Sequence, residues 1–382
     1  MKKLFNEKIN VIIAGGGTGG HIYPAIAVAK EIKKRNKDSN ILFLGSIGRM
    51  EMNIVPKHNF NIKGLWISGI KRTSFLSNFL FLGMSFLLKN FLFPIKLISS
   101  IIRSLVIINS FKPDLVLGFG GYVSGPILIA ALLNKVPSAI QEQNSFPGIT
   151  NRYLGNRVNL VFVAFNNMRK YFHNNMFCYG NPVRSDLLNI THLKKDAYNF
   201  FGLDSEKKTI LIIGGSLGAK TINDSVLLNL SLIKNSSFQI LWQTGQNYYE
   251  EIMLVKNSFS NNIQTIPYIN EMKYAYACSD IVISRAGALA ISELCVVGKA
   301  VIFVPSPNVV EDHQTKNALS LKSINACEIV KDISAKKDLI KTAFNILHDK
   351  KKMYLLEKNI SSLAKPNATK KIVNKLISLK EQ

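Results

Sequence analysis

Apolar residues in this chain gather in short unbroken runs. Examples are Val11-Ile-Ile-Ala14, Ile41-Leu-Phe-Leu44, Leu115-Val-Leu117, Leu160-Val-Phe-Val163, Ile210-Leu-Ile-Ile213, Ile281-Val-Ile283 and Ala300-Val-Ile-Phe-Val304. A strand that is apolar at every position has both faces buried, as in a parallel sheet covered by helices on each side. The pattern predicts strands near 9–14, 40–45, 61–67, 114–118, 137–141 and 159–164, and again near 209–214, 238–243, 262–266, 281–284 and 300–304. Helices fit between most of them. Such alternation means an α/β protein whose ligands sit at the carboxyl ends of its strands.

Three of the apolar runs break into glycine clusters: Val11 to His21, Leu115 to Pro126 and Ile210 to Ala219. Each reads as strand, tight turn and helix start. Glycine admits a close ligand, and a helix N-terminus offers unpaired N–H groups and partial positive charge, so such loops suit phosphate. Two clusters lie in the first third and one opens the second half, which predicts two nucleotide-type domains. The break falls near Tyr179-Gly-Asn-Pro-Val-Arg184, where Pro182 forces Asn181 toward an extended conformation.

Two familiar motifs fail on inspection. Gly15, Gly17 and Gly20 match the dinucleotide fingerprint, but that site wants an acidic residue at the end of the second strand, and here Leu44 runs into Gly45 and Ser46. Gly214 to Thr221 misses the P-loop pattern because Ala219 stands where glycine is required. Neither a nicotinamide dehydrogenase nor a P-loop ATPase explains similar loops in both halves.

The 382 residues are comfortable for two domains. The four cysteines form no C-x-x-C pair, which argues for a reducing compartment and against a zinc site. The N-terminus runs straight into the first strand, so no signal peptide is expected. Charge changes the picture more. Residues 1–180 carry net +16 and residues 181–382 net +8, and between Met52 and Pro113 eight residues are basic and none is acidic. That basic region surrounds a greasy one. Thr73 to Leu88 is sixteen residues without a charge, short of the roughly 18–20 that span a bilayer. On a helix Ser74, Asn78, Ser85 and Lys89 make a narrow polar stripe. After Pro94 a second helix puts Lys96, Ser99, Ser100 and Arg103 on one face, with Leu97, Ile98, Ile101, Ile102 and Leu105 elsewhere. One reading is two ordinary core helices. The other is a membrane-interface contact through Phe75, Phe79, Leu82 and Phe86, flanked by Lys71, Arg72 and Lys89. No RNA-binding signature accompanies these residues, so an anionic membrane surface is the expected partner and nucleic acid is not.

Seven motifs occur in order: Gly-Gly-Thr-Gly-Gly-His at 16–21, Gly-Phe-Gly-Gly-Tyr-Val-Ser-Gly-Pro at 118–126, Glu-Gln-Asn at 142–144, Gly-Asn-Pro-Val-Arg at 180–184, Gly-Gly-Ser-Leu-Gly-Ala at 214–219, Arg-Ala-Gly-Ala-Leu-Ala-Ile-Ser-Glu at 285–293 and Asp-His-Gln at 312–314. Together they resemble the MurG family of bacterial cell-wall glycosyltransferases over nearly the whole chain. The resemblance implies a glycosyltransferase-B fold, two Rossmann-like parallel-sheet domains facing a cleft. It implies an acceptor- and membrane-binding domain of residues 1–180 plus about 361–382, and a UDP-sugar-binding domain of 181–360. It also implies inverting transfer of N-acetylglucosamine from its UDP sugar to the 4-hydroxyl of lipid-linked muramyl-pentapeptide, lipid I to lipid II, in peptidoglycan synthesis at the cytoplasmic face of the cell membrane. Another UDP-sugar transferase, an epimerase of the same fold and a non-enzymatic membrane adaptor are the alternatives.

An inverting displacement needs a base for the acceptor hydroxyl and a cradle for the departing diphosphate. The sequence holds no D-x-D pair, so neither a metal nor any other cofactor is expected and main-chain amides must take the phosphate charge. His21 is the candidate base, with a loop-capping histidine as the alternative. By resemblance Thr18, Gly19 and Gly20 approach the donor through backbone groups, unless they form a structural turn only. Ser216 holds phosphate or caps a helix. Arg184 meets the diphosphate or makes an inter-domain ion pair. Glu293 accepts both ribose hydroxyls or is a solvated helix residue, and it closes the donor segment Ala288, Leu289, Ala290, Ile291, Ser292. Ile269 meets uracil through its main chain, Gln314 bonds sugar hydroxyls, and Asn144 contacts a substrate or braces its loop. Gly120, Gly121 and Tyr122 form the acceptor diphosphate site. Members of the family this chain resembles often have Thr at the position of Ala290, so one hydroxyl contact is lost while a main-chain contact survives, and some have Gln at that of His313, which bears on the sugar contact nearest it.

Overall fold

A computed structural model describes residues 8–69, 83–173, 175–215, 217–309 and 312–380. They form two compact units, Met1–Val183 with Asn367–Gln382, and Arg184–Pro366.

The first unit is built on seven parallel strands: β1 (Asn10–Ala14), β2 (Asn40–Ser46), β3 (Asn61–Leu65), β4 (Leu115–Gly118), β5 (Ser138–Glu142), β6 (Leu160–Val163) and β7 (Met176–Cys178). Their spatial order is β3-β2-β1-β4-β5-β6-β7. Strand residues alternate between two cores, as a period of two requires. Val11 and Ile13 join one core with Ile22 and Ile26 of the helix Gly19–Arg35 and Ile372, Val373 and Leu376 of the final helix Ala368–Lys380. Ile12 and Ala14 join the other with Ile107 and Ile108 of the helix Gly83–Phe111 and Ile127 and Leu128 of the helix Ser124–Leu133. Each fully buried branched side chain stabilises by about 1.5–3 kcal/mol. The final helix is fixed further by Arg35, which donates to Asn374 Oδ1 at 2.6 Å and to the Lys370 carbonyl at 3.1 Å.

The second unit repeats the plan with six parallel strands: β8 (Thr209–Ile213), β9 (Gln239–Gln243), β10 (Ile263–Ile266), β11 (Ile281–Ser284), β12 (Ala300–Phe303) and β13 (Glu328–Ile329). Their order is β10-β9-β8-β11-β12-β13. Again odd and even positions separate, Leu211 and Val282 to one core, Ile210, Ile212, Ile281 and Ile283 to the other. Two Rossmann-like α/β units are therefore present. All eleven sequence-predicted strands form, and β7 and β13 are additions, three and two residues long at sheet edges.

The greasy region corrects one expectation. No break occurs at Pro94: the helix runs unbroken from Gly83 to Phe111. The polar face read from the sequence is divided, with Ser99 and Arg103 exposed and Lys96 and Ser100 turned toward the protein. Ser100 and Ser104 are buried, Ser100 donating to the Trp66 carbonyl at 3.1 Å, and Lys96 donates to Ser68 at 3.0 Å. Ile98, Ile102 and Val106 instead stand 59%, 57% and 62% exposed, with Leu92 and Ile95 extending the stripe. Local polar partners on the adjoining segment thus decide which side turns inward. Lys71, Arg72, Phe75, Phe79 and Leu82 lie outside the described residues, and for Phe86 and Lys89 only the helical backbone is described.

Candidate active site

In an open parallel sheet the ligand crevice opens where strand order reverses, because the loops on either side leave in opposite directions. Those points are β1/β4 in the first unit and β8/β11 in the second. All three glycine clusters lie there. Two flank β1/β4 and the third follows β8, while Arg285-Ala-Gly287 and the helix Ala288–Val297 follow β11.

At β1/β4 the two loops touch. A β-carbon on Gly121 would fall 2.6 Å from the Gly16 carbonyl oxygen, and Gly121 has φ +75°, so only glycine allows this approach. Ser124 Oγ lies 3.0 Å from the Ala14 carbonyl and accepts the Gly120 N–H at 3.1 Å, tying the second loop to β1. Gly19 and Gly20 begin the helix Gly19–Arg35, with Thr18 at its cap position. His21 Nδ1 is 3.0 Å from the Gly16 carbonyl and 3.2 Å from Thr18 Oγ1. A carbonyl only accepts, so Nδ1 carries the proton and Nε2 keeps its lone pair. Nε2 points to Gly120, 3.2 Å from where a β-carbon there would lie. Tyr122 is exposed and packs edge-on to Phe93, centroids 6.4 Å apart.

Behind this layer sits a carboxylate to which the sequence reading gave no role. Glu142, 1% exposed, accepts from Asn144 N–H (2.9 Å), Asn144 Nδ2 (3.3 Å), Gly148 N–H (3.0 Å) and Asn151 Nδ2 (2.8 Å). Asn144 therefore braces its loop through its amide nitrogen, which leaves its side-chain oxygen for any substrate contact. Glu142 heads the Glu-Gln-Asn motif, and that was its only signal in the sequence.

At β8/β11 the charged pair is Arg184 and Glu293, with Arg184 Nε 3.2 Å from Glu293 Oε1. Both residues belong to the second unit, so the alternative of an inter-domain pair is corrected to a pair within one unit. Tyr276 Oη donates to Glu293 Oε2 at 3.3 Å. Glu293 is buried, not solvated, because its helix turns it inward beside Ile291 and Leu294. Burial raises its pKa above the ordinary carboxylate value, and Arg184 and Tyr276 only partly pull it back. Burial disfavours the Arg184 cation, yet Glu293, helped by Tyr276, outweighs it and holds the guanidinium above its usual value. Tyr276, wholly buried, is pushed well up by desolvation and then by Glu293.

Gly287 caps the helix Ala288–Val297 in an extended conformation, Ile291 N–H bonds the Gly287 carbonyl, and Leu289 and Ala290 lie in the first turn. Ser292 Oγ donates back to the Ala288 carbonyl at 2.9 Å. Ser216 lies outside the described residues. Gln243, also missed from sequence, links two expected parts: its Nε2 donates to the Gly215 carbonyl and its Oε1 accepts the Ile269 N–H, both at 3.0 Å. Ile269 is left only its carbonyl for a ligand. Gln314 Oε1 accepts the Ser306 N–H at 2.9 Å, which fixes its side chain beside the loop after β12. Arg285 donates to the Val304 carbonyl at 3.0 Å and pairs with Asp332, bracing the same end of the sheet. Among the described residues no group of three or more His, Cys, Asp or Glu is placed to hold a metal ion.

The comparisons with known proteins agree with this architecture. The glycosyltransferase family 28 N-terminal domain matches residues 11–163, and the glycosyltransferase family 28 C-terminal domain matches 209–375. A UDP-N-acetylglucosamine--N-acetylmuramyl-(pentapeptide) pyrophosphoryl-undecaprenol N-acetylglucosamine transferase of Cytophaga hutchinsonii is 46% identical over 97% of this chain and 96% of its own length. The Christiangramia forsetii protein of the same name is 45% identical over 98% of each. Among solved structures, Acinetobacter baumannii MurG superposes with TM-score 0.72 at 29% identity, covering 97% of this chain and 99% of its own. A Neisseria meningitidis UDP-GlcNAc 2-epimerase superposes at 0.67 with 17% identity over 97% of this chain and all of its own, a likeness of fold alone. The chain belongs to glycosyltransferase family 28, and within it to the MurG family of N-acetylglucosamine transferases.

Proposed function

We propose that this protein moves N-acetylglucosamine from UDP-N-acetylglucosamine to the 4-hydroxyl of lipid-linked N-acetylmuramyl-pentapeptide. The observation that carries the reading is the full-length likeness to transferases of that name. The site chemistry accords with it. The acceptor oxygen attacks the anomeric carbon and its proton passes to His21 Nε2. The bond from that carbon to the β-phosphate oxygen breaks, and UDP leaves with the bonding pair. In the second unit Glu293 receives the ribose hydroxyls, Arg184 and the first turn of the helix Ala288–Val297 face the diphosphate, the Ile269 carbonyl meets uracil, and Gln314 meets the sugar. Thr18, Gly19 and Gly20 approach the donor by backbone, and Gly120, Gly121 and Tyr122 hold the acceptor diphosphate. The expected result is UDP release that requires both the UDP sugar and a short-chain lipid I analogue. Loss of the starting sugar epimer without acceptor would identify an epimerase instead, and vesicle and UDP-sugar binding without turnover would identify an adaptor.

The acceptor is lipid-bound, so the enzyme works at a membrane, which we place at the cytoplasmic face. Leu92–Phe111 is long and apolar enough to cross a bilayer by length and composition, with mean hydropathy 1.6 and 22% of it buried. Its serine-lined inner side is bonded to the protein, so the helix rests on the surface with Ile95, Ile98, Ile102 and Val106 toward lipid and Arg103 toward anionic headgroups. Replacing Ile98 and Ile102 together by Glu should cut sedimentation with anionic vesicles roughly tenfold or more, given about 1.5–3 kcal/mol per buried isoleucine, without changing UDP affinity. Unchanged sedimentation would remove this helix from the contact.

A further inference from the structure

Glu51 lies at the start of a short helix, Glu51–Ile54, and no motif marks it. It is wholly buried, and among the described residues no cation pairs with it. Both oxygens face main-chain donors instead: Oε1 accepts the Ser46 N–H at 2.9 Å and Oε2 the Gly17 N–H at 3.0 Å. A buried carboxylate without a counter-ion persists only where fixed donors replace water.

The Gly17 N–H belongs to the peptide link between Gly16 and Gly17. The carbonyl of that same link accepts the proton of His21 Nδ1 at 3.0 Å. Carboxylate, peptide and imidazole are thus joined in one chain of two hydrogen bonds. Bonds in such a chain polarise one another, each strengthened by about 10–30%. We propose that Glu51 is a positioning residue for His21, acting through the Gly16–Gly17 peptide. It draws the N–H, makes the Gly16 oxygen a stronger acceptor, and so keeps the imidazole proton on Nδ1 and the lone pair on Nε2, facing Gly120. Gly16 completes the device, because any β-carbon there would collide with Glu51 Oε1. The inference rests on the reading of His21 as the base.

The test uses full-length protein labelled with 15N, whose imidazole shifts report the tautomer of neutral His21. Glu51→Gln keeps the size but turns an amide NH2 toward one of the two N–H donors. The expected result is a change from the Nδ1–H form toward a mixture, with kcat reduced roughly 10–100-fold and UDP affinity, read in the other unit, unchanged. Should Glu51→Gln fail to fold, Gly16→Ala displaces the carboxylate from the loop side and is read in the same way. An unchanged tautomer overturns the inference whatever happens to turnover, because a merely structural glutamate would lower kcat without touching the imidazole proton. Full turnover in both variants overturns it too. The base reading fails separately, if His21→Ala turns over normally, and that result does not depend on the tautomer.

Discussion

His21→Ala should lose transfer by about 10²–10⁴-fold in kcat, the usual worth of a positioned general base, while UDP affinity stays within about twofold because the residues proposed to hold uracil and ribose, Ile269 and Glu293, lie in the other unit. The geometry sets both halves of this expectation. His21 sits at the start of a helix beside the β1/β4 switch point, its Nδ1 is committed to Gly16, and nothing but Nε2 can act on a substrate. Alanine removes the lone pair without disturbing the backbone, since the helix starts with main-chain bonds from His21 and Ile22 to the Thr18 carbonyl. Initial rates with labelled donor and a short-chain acceptor, beside a UDP titration, decide it. Near-wild-type turnover would leave His21 as a loop cap, and a parallel loss of UDP affinity would mean the substitution had damaged the fold.

Much of this was legible in the sequence because burial on both faces leaves a plain mark. Ile210-Leu-Ile-Ile213 and Val11-Ile-Ile-Ala14 could only be central strands, and the glycines after them could only be sharp turns. The two missed strands, Met176–Cys178 and Glu328–Ile329, are edge strands with part-exposed side chains, so their pattern carries no such mark. The helix Gly83–Phe111 was misread for a different reason. Pro94 suggests two segments where there is one helix, and periodicity alone does not say which side turns inward; Ser100 and Lys96 are held there by Trp66 and Ser68, far away in sequence. The supporting carboxylates were invisible likewise. Glu51 acts on its loops through backbone N–H groups, and Glu142 does so in part, beside Asn144 and Asn151; a backbone partner leaves no residue type to recognise.

Glu293→Ala should weaken UDP by roughly 30–150-fold, about 2–3 kcal/mol, and lower thermal stability as well. Two ribose hydroxyls donating to a carboxylate would each contribute about 1.5–3 kcal/mol. Against that stands the Arg184 pair, which ribose must compete with in the wild type and not in the variant, so the net loss falls below the sum. The buried Tyr276 hydroxyl loses its acceptor, a loss offset in part because the side chain removed is a buried charge with its own desolvation cost and Arg184, about one-third exposed, can turn to water. The same burial gives the wild type a pH signature. With its pKa raised, folded Glu293 holds its proton more tightly than the unfolded chain does. Its contribution to stability is therefore greatest below the unfolded value and declines as pH rises through the folded one. Ribose binding runs the other way, because a protonated carboxyl gives up one acceptor to its own O–H. UDP affinity should thus begin to fall at a higher pH than an ordinary glutamate, near 4.3, would allow, and that extra acid sensitivity should vanish in Glu293→Ala. Calorimetric titration of UDP across the acidic range checks both points. A loss under about threefold at neutral pH would take the ribose from Glu293 and leave it a counter-ion for Arg184.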